Sequence, residues 1–264
     1  MNLHHTLHSF LSFFTIVITL SLSAQVNASP LPSEEVNKDK VVMRDVFATM
    51  PDTVLPLVNK YARLICLDLF ENHIKAEARN TLDDFVELEA LTSDYLRFRT
   101  SVSSLLELKL LPLDSVYCRT TTTDSLASDS LSCYVLCLVT TALAGEPGTP
   151  LRLEDSTLRF LHSDWSPLDS TEVATLVFQQ PPLTEFLTPD SLSSPVSQAK
   201  VPEALSSALR SLTDFHPVRL ALSPTEASIT LTLQPAYLTT EEREVIVPRI
   251  RPLVLHWNGH TFVQ

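Results

Sequence analysis

Apolar residues recur at spacings of three and four in the first half of the chain, at Val54, Leu57, Val58, Tyr61, Leu64, Ile65 and Leu69. That period predicts an amphipathic helix laid with these side chains on a core. Thr53 stands where an N-cap belongs, and Pro56 falls in the first turn, where a missing N–H costs little. Cys66 lies near the same apolar face. The period then drops to two. In DYLRFRT, Leu96 and Phe98 alternate with Tyr95, Arg97 and Arg99; in LLELKLL, Leu106, Leu108 and Leu110 alternate with Glu107 and Lys109. Such alternation predicts antiparallel strands with one face on the core and one in water. CYVLCLVTTAL differs, because Val135, Cys137 and Val139 oppose Tyr134, Leu136 and Leu138 and both sides are apolar. A central strand fits it. STLRFLHSDW gives a further strand with Leu158 and Phe160 inward.

DSTEVATLVF reads as a short helix, with Asp169 and Glu172 as an approximate capping box. QQPPLTEFLTPDSLSSPVSQAK, rich in Pro and Ser, has no period and reads as a connector. VPEALSSALRSL places Val201, Leu205, Ala208, Leu209 and Leu212 on one helical face. VRLALSP and ASITLTLQP predict a hairpin turning at Ser223-Pro224-Thr225, and TTEEREVIVPRI a short capped helix. PLVLHWNGHTFVQ closes on a second hairpin, in which Asn258-Gly259 suits a two-residue turn that needs positive φ. The order is α+β, with antiparallel sheet covered by helices, and it has the form of a loose two-fold repeat of helix plus strands. The organisation expected is a signal peptide over 1–28, a flexible mature N-terminus over 29–41, an α+β domain or half over 42–186, a connector over 187–200 and a second α+β domain or half over 201–264.

The signal peptide rests on the run Phe10 to Ala24, 15 residues with only Ser and Thr as polar members. A membrane-spanning helix needs about 20. Val26-Asn27-Ala28 follows at a cleavage-compatible position. The mature chain is therefore expected in the periplasm or outside the cell, with no further span. Net charge is −12, and the first 28 residues hold no Asp, Glu, Lys or Arg. An acidic chain without a basic block repels phosphate backbones, which argues against nucleic acid as a partner. Only Gly145, Gly148 and Gly259 occur. Phosphate-cradling loops and the nucleophile elbow both need more glycine than that.

Three of the four cysteines, Cys118, Cys133 and Cys137, fall within VYCRTTTTDSLASDSLSCYVLCLV. Cys133 and Cys137 lie about 13 Å apart along a strand, too far to share a zinc or form a disulfide. If VYCRT and SCYVLCLVT are arms of one hairpin, Cys118 faces Cys133. The pair is then either a cross-strand disulfide, as an oxidising compartment allows, or two thiols packed as small apolar side chains. Cys66 and His73 stand two helical turns apart, too distant for a direct nucleophile–base contact. His256 and His260 diverge if Trp257 faces His260 across the turn. His162-Ser163-Asp164 cannot converge as neighbours on a strand end, and Asp83, Asp84, Glu87 and Glu89 lack a calcium-loop pattern. No cofactor, metal or catalytic residue is expected. Trp165, Trp257 and His260 are the candidate contact surface.

FATMPDTVLPLV, ALTSDYLRF, LELKLLPL, FLHSDWSPL and RPLVLHWNGHTF together resemble secreted proteins of Bacteroidetes grouped as domain of unknown function 3256. The resemblance implies an exported envelope protein of Gram-negative cells, and it brings no activity or catalytic residue with it. The function expected is non-enzymatic binding of another envelope protein or a peptide. The alternative is a hydrolase of an envelope peptide, glycan or lipid.

Overall fold

Strand Ser104–Pro112 explains much of the architecture, because Leu105 through Leu111 are buried without interruption. Both of its faces are covered. In the computed structural model, which describes residues 41–115, 133–146, 149, 152–168, 176, 178–188 and 203–264, this strand is the fourth of a six-stranded antiparallel meander. The others are β1 (Glu77–Arg79), β2 (Phe85–Leu91), β3 (Tyr95–Ser101), β5 (Tyr134–Ala144) and β6 (Leu153–His162), with Ser104–Pro112 as β4, in spatial order β1-β2-β3-β4-β5-β6. A second antiparallel sheet has the order β10-β9-β8-β7, from β7 (Val218–Leu222), β8 (Ser228–Leu233), β9 (Leu253–Trp257) and β10 (Phe262–Val263). Helices α1 (Met43–Thr49), α2 (Lys60–Glu71), α3 (Glu203–Asp214) and α4 (Thr240–Ile246) complete the α+β fold. All the described residues belong to one compact unit.

Two apolar clusters flank the larger sheet. On one face Leu96, Phe98, Leu106, Leu108, Leu110, Leu136 and Leu138 pack with Met43, Phe47, Cys66 and Leu67 of α1 and α2. On the other, Tyr95, Leu111, Val135, Cys137 and Val139 join the inward residues of β7–β10 and Leu205, Ala208, Leu212 and Ile246 of α3 and α4. The expected wet face of β3 and β4 is thus corrected: Glu107 and Lys109 are each 1 % exposed, because the second sheet covers them. The two sheets meet along β7. Residues 219, 221 and 223 of that strand point their amides toward β8, so the amides of Leu220 and Leu222 point outward. Leu220 N–H donates to Ser156 Oγ at 3.0 Å, and the Glu107 carboxylate lies near the Leu222 amide. Lys109 Nζ donates to Pro224 O at 3.3 Å and pairs with Asp94 at 3.0 Å. Polar side chains of one sheet thereby satisfy an otherwise bare strand edge of the other.

Several expectations hold. β5 pairs over its length with β4 and β6 and is buried on both sides from Val135 to Val139. β7 and β8 form the hairpin around 223–225, α3 buries Leu205, Ala208 and Leu212, and Thr239 caps α4 in a capping box with Glu242. Others change. The described partner of β5 on this side is β4, with Pro112 opposite Tyr134 and Leu113 N–H donating to Cys133 O. Cys118 lies outside the described residues, as do its pairing with Cys133, the signal peptide, the greater part of the connector and most of the expected helix over 169–178, of which Leu176 and Phe178 are described and not helical. The final turn spans four residues, with Trp257 opposite Phe262 and His256 opposite Val263. Asn258 Oδ1 accepts the amides of His260 and Thr261, and Gly259 at φ +103 hands its carbonyl to Asp114 N–H, which favours the longer loop.

Candidate contact surface

The helix of residues 54–69 begins later than its apolar period suggests and turns the other way. Pro51 and Pro56 hold residues 51–58 in two successive turns, Val54 N–H to Pro51 O and Val58 N–H to Leu55 O. Asn59, not Thr53, is the N-cap, its Oδ1 accepting Ala62 N–H at 2.9 Å. The buried face is Ala62, Arg63, Cys66 and Leu67. Arg63 is 1 % exposed, and its guanidinium donates to Val58 O at 2.7 Å, to Asp52 at 2.8 Å and to Met50 O. It ties both ends of the 50–58 segment to the helix, since five fixed donors can serve several carbonyls at once. Small Ala62 and Cys66 let α2 lie close on the sheet. The bulkier stripe Leu57, Tyr61 and Leu64 is left in solvent, with Tyr61 74 % exposed.

A second set of apolar side chains gathers beside this stripe. Asn80, buried, is the hub: its Oδ1 accepts the amides of Leu82 and Asp84, and its Nδ2 donates to Thr100 O. Asp84 Oδ2 accepts Val102 N–H at 3.3 Å, and Thr81 N–H donates to Leu57 O at 2.9 Å. Three loops, around residues 57, 82 and 102, are thus stitched together. Their backbone polarity is satisfied inside, while Leu82 and Val102 each stand 71 % exposed and Phe85 lies half-open under the Arg79 guanidinium. Leu57 and Leu82 are held near each other by the bond between the Thr81 amide and the Leu57 carbonyl, whereas Phe85, alternating with buried Val86, faces the other side of the sheet from α2.

The sequence-predicted site residues fall elsewhere and apart. Trp165 is buried among α1 and the helix-side cluster, its indole N–H donating to Val46 O at 2.9 Å and its backbone at φ +72. Trp257 is partly buried on the opposite face against Phe160 and Phe262, with Nε1 donating to Pro112 O at 2.6 Å. His260 sits in the loop beyond it, not across from Trp257. Cys133 stands at the start of β5. Burial pushes the Cys66 thiol up to about 11 and the Cys137 thiol higher still, the reverse of what a nucleophile requires. Asp164 is engaged by Ser166 at 2.6 and 2.9 Å; partial burial raises its carboxyl, but these bonds hold it below the usual range. Glu89 departs from its acidic neighbours at the β2 bulge and bridges Arg97 and Arg99. Among the described residues no three His, Cys, Asp or Glu side chains form a metal-holding group.

Two further features border the sheet junction. A cleft of about 220 Å³ is lined by Val41, Ser93, Asp94, Leu110, Pro112 and Tyr134. Inside the junction Tyr95 O–H donates to Glu107 Oε1 at 2.7 Å, and burial raises the Glu107 carboxyl despite the Tyr95 bond and the nearby Arg97 and Arg219. The same burial and the Glu107 charge raise Tyr95. Sequence periodicity missed the apolar stripe as a surface because Tyr61 and Leu64 resemble core residues; the Ala62–Cys66 spacing was the sole hint of the opposite face.

The sequence profile of the family described as "Protein of unknown function (DUF3256)" matches residues 37–262, and the chain belongs to that family. No curated protein matches it. Among solved structures, a domain of an uncharacterized protein from Porphyromonas gingivalis W83 has the same fold, with a TM-score of 0.57, 22 % identity, and coverage of 83 % of this chain and 96 % of that one.

Proposed function

Starting from membership of a family without an assigned activity, we propose that this protein is an exported, periplasmic binding protein that engages another protein or a peptide without turning it over. The observation that carries the reading is the exposure of Leu57, Tyr61 and Leu64 around the start of α2 together with Leu82 and Val102 on loops fastened to residue 57 and to one another by hydrogen bonds. These loops are fixed by Asn80 and Asp84, so little ordering entropy opposes association there. The apolar leader pattern over 10–28 supports export. The buried thiols, with pKa values moved away from reactivity, support a binding role over a thiol-dependent one. The test is site-specific photocrosslinking in the producing cells. A photoreactive side chain at position 61 or 82 is expected to give a discrete adduct, and one at exposed Glu226 none; equal labelling at all three positions defeats the assignment. N-terminal sequencing of the mature protein is expected to begin after Ala28.

A further inference from the structure

From the edge of the six-stranded sheet we infer that the partner taken by this surface is a second copy of the chain, docked strand to strand through β1. The inference rests on the binding reading above and names its occupant. Leu88 N–H donates to Ala76 O and Asn80 N–H to Asp84 O, so residues 76, 78 and 80 spend their backbone groups on β2. Residues 77 and 79 face outward. Glu77 N–H turns back onto Lys75 O, which leaves the Arg79 N–H and the Glu77 and Arg79 carbonyls along the open edge. Other sheet margins among the described residues differ: β6 lies against β7, the outward Leu220 amide of β7 is bonded to Ser156, and β10 is two residues long.

Charge selects the occupant. An antiparallel pairing centred on Ala78 sets Glu77 of each copy opposite Arg79 of the other, twice across the two-fold axis. The present partners of those side chains are exposed: Lys75 and Asp83 stand at 65 % and 89 % side-chain exposure, and Arg79 also donates to Asp83 O and lies over the half-open Phe85 ring. Apolar surface lies at the same margin. α2 packs over β1 and β2 and carries Tyr61 and Leu64, with Leu57 just before it, while Ile74, Leu82 and Phe85 flank the strand on either side. Short charged edge strands ordinarily discourage pairing, yet this charge pattern repels an identical strand in parallel and attracts it in antiparallel register.

The test is sedimentation of the purified full chain across a wide concentration range. A mass of about twice the chain is expected at high concentration. Glu77→Arg sets like charges opposite at both symmetry-related positions and is expected to weaken the dimer roughly tenfold or more; Glu77→Arg with Arg79→Glu restores opposite charges and is expected to restore it. Arg79→Pro removes the outward N–H while sparing every bond to β2, and is expected to give monomer with an unchanged circular dichroism spectrum. A wild-type chain that stays monomeric, or a dimer indifferent to all three variants, overturns the inference. In the monomeric case, a photocrosslink at positions 61 and 82 to a different protein leaves the binding reading standing; loss of those adducts as well removes both.

Discussion

Leu108 and Lys109 are adjacent on one strand, are both buried, and enter opposite worlds. Leu108 meets α1 and α2 in a layer built from leucine, phenylalanine, valine and methionine. Lys109 meets the second sheet, in a layer where Glu107, Tyr95, Ser156 and Arg219 are mixed with apolar side chains. The helix-covered face is met mostly by shape, because a helix satisfies most of its own backbone, with Arg63 and Trp165 answering the carbonyls of Met50, Val58 and Val46. The sheet-covered face must also answer backbone groups of β7 and the turn after it, and does so with Ser156 on the Leu220 amide and Lys109 on the Pro224 carbonyl. Alternation of polar and apolar residues along β4 therefore records which neighbour each face has, not which face is wet.

The sharpest test of that contrast is truncation on the apolar side. Leu108→Ala is expected to cost about 2–5 kcal/mol in urea unfolding, since a helix and a sheet packed on either side cannot both collapse into the void. A loss under about 1 kcal/mol would show that the helix layer is loosely held.

Across the strand, the expected signature is a pH slope. Burial raises the Glu107 carboxyl above its ordinary 4.5 in the folded chain, so the protonated form is the one the fold favours. The stability tied to that proton is fully present below the unfolded value and is lost as pH rises through the folded one. Glu107→Gln keeps an acceptor for Tyr95 O–H and has no charge to desolvate. The variant is expected to gain on the wild type as pH rises above about 4.5, by paired urea titrations; a constant difference across pH would mean that Glu107 titrates alike in the folded and unfolded chain. Glu71, Asp164 and Glu242 are shifted downward and act in the opposite sense, but they are common to both proteins and cancel.

A smaller effect is expected at Lys109. Its carboxylate partner Asp94 is nearly half exposed, so water takes over when the ammonium is removed. Lys109→Met keeps the stem's volume and is expected to change stability by less than about 1 kcal/mol in either direction. A loss of several kcal/mol would instead make the Pro224 and Asp94 contacts a principal fastening of the two sheets.

What could be read in advance follows the same division. Thr239 and Glu242, the β7–β8 alternation and the two-sided apolar run of β5 are local signals, and each produced the element it announces. Local signals say little about what arrives later in the chain. Glu107 and Lys109 have the pattern of a solvent face until β7, more than a hundred residues on, covers them. The orientation of α2 was hidden for a related reason: Arg63 looks like a surface residue, but the carbonyls of Met50 and Val58 give its guanidinium a buried place. With Arg63 inside, Tyr61 and Leu64 must face out. The Asn258-Gly259 turn was misjudged by two residues because Asp114 and the Asn258 side chain, neither part of a hairpin rule, hold the longer loop.

The finest distinction between the layers is kinetic, and nature has placed one buried thiol in each. Cys66 lies on α2 over the sheet margin at β1, and Cys137 lies on β5, paired on both sides by β4 and β6. Both are fully buried, and both thiols are raised by burial, Cys66 to about 11. Neither should react with a maleimide at pH 8 without an opening event. In a Cys118→Ser, Cys133→Ser background, labelling followed by mass spectrometry is expected to reach Cys66 first, by local lifting of α2 from a three-residue edge strand, and Cys137 only at the rate of global unfolding. Low urea should accelerate Cys137 far more steeply than Cys66, since exposing β5 uncovers both clusters and lifting α2 uncovers one. Equal rates with equal urea dependence would mean that the two layers part in a single step, and that the chemical difference between the faces of the sheet has no counterpart in how it opens.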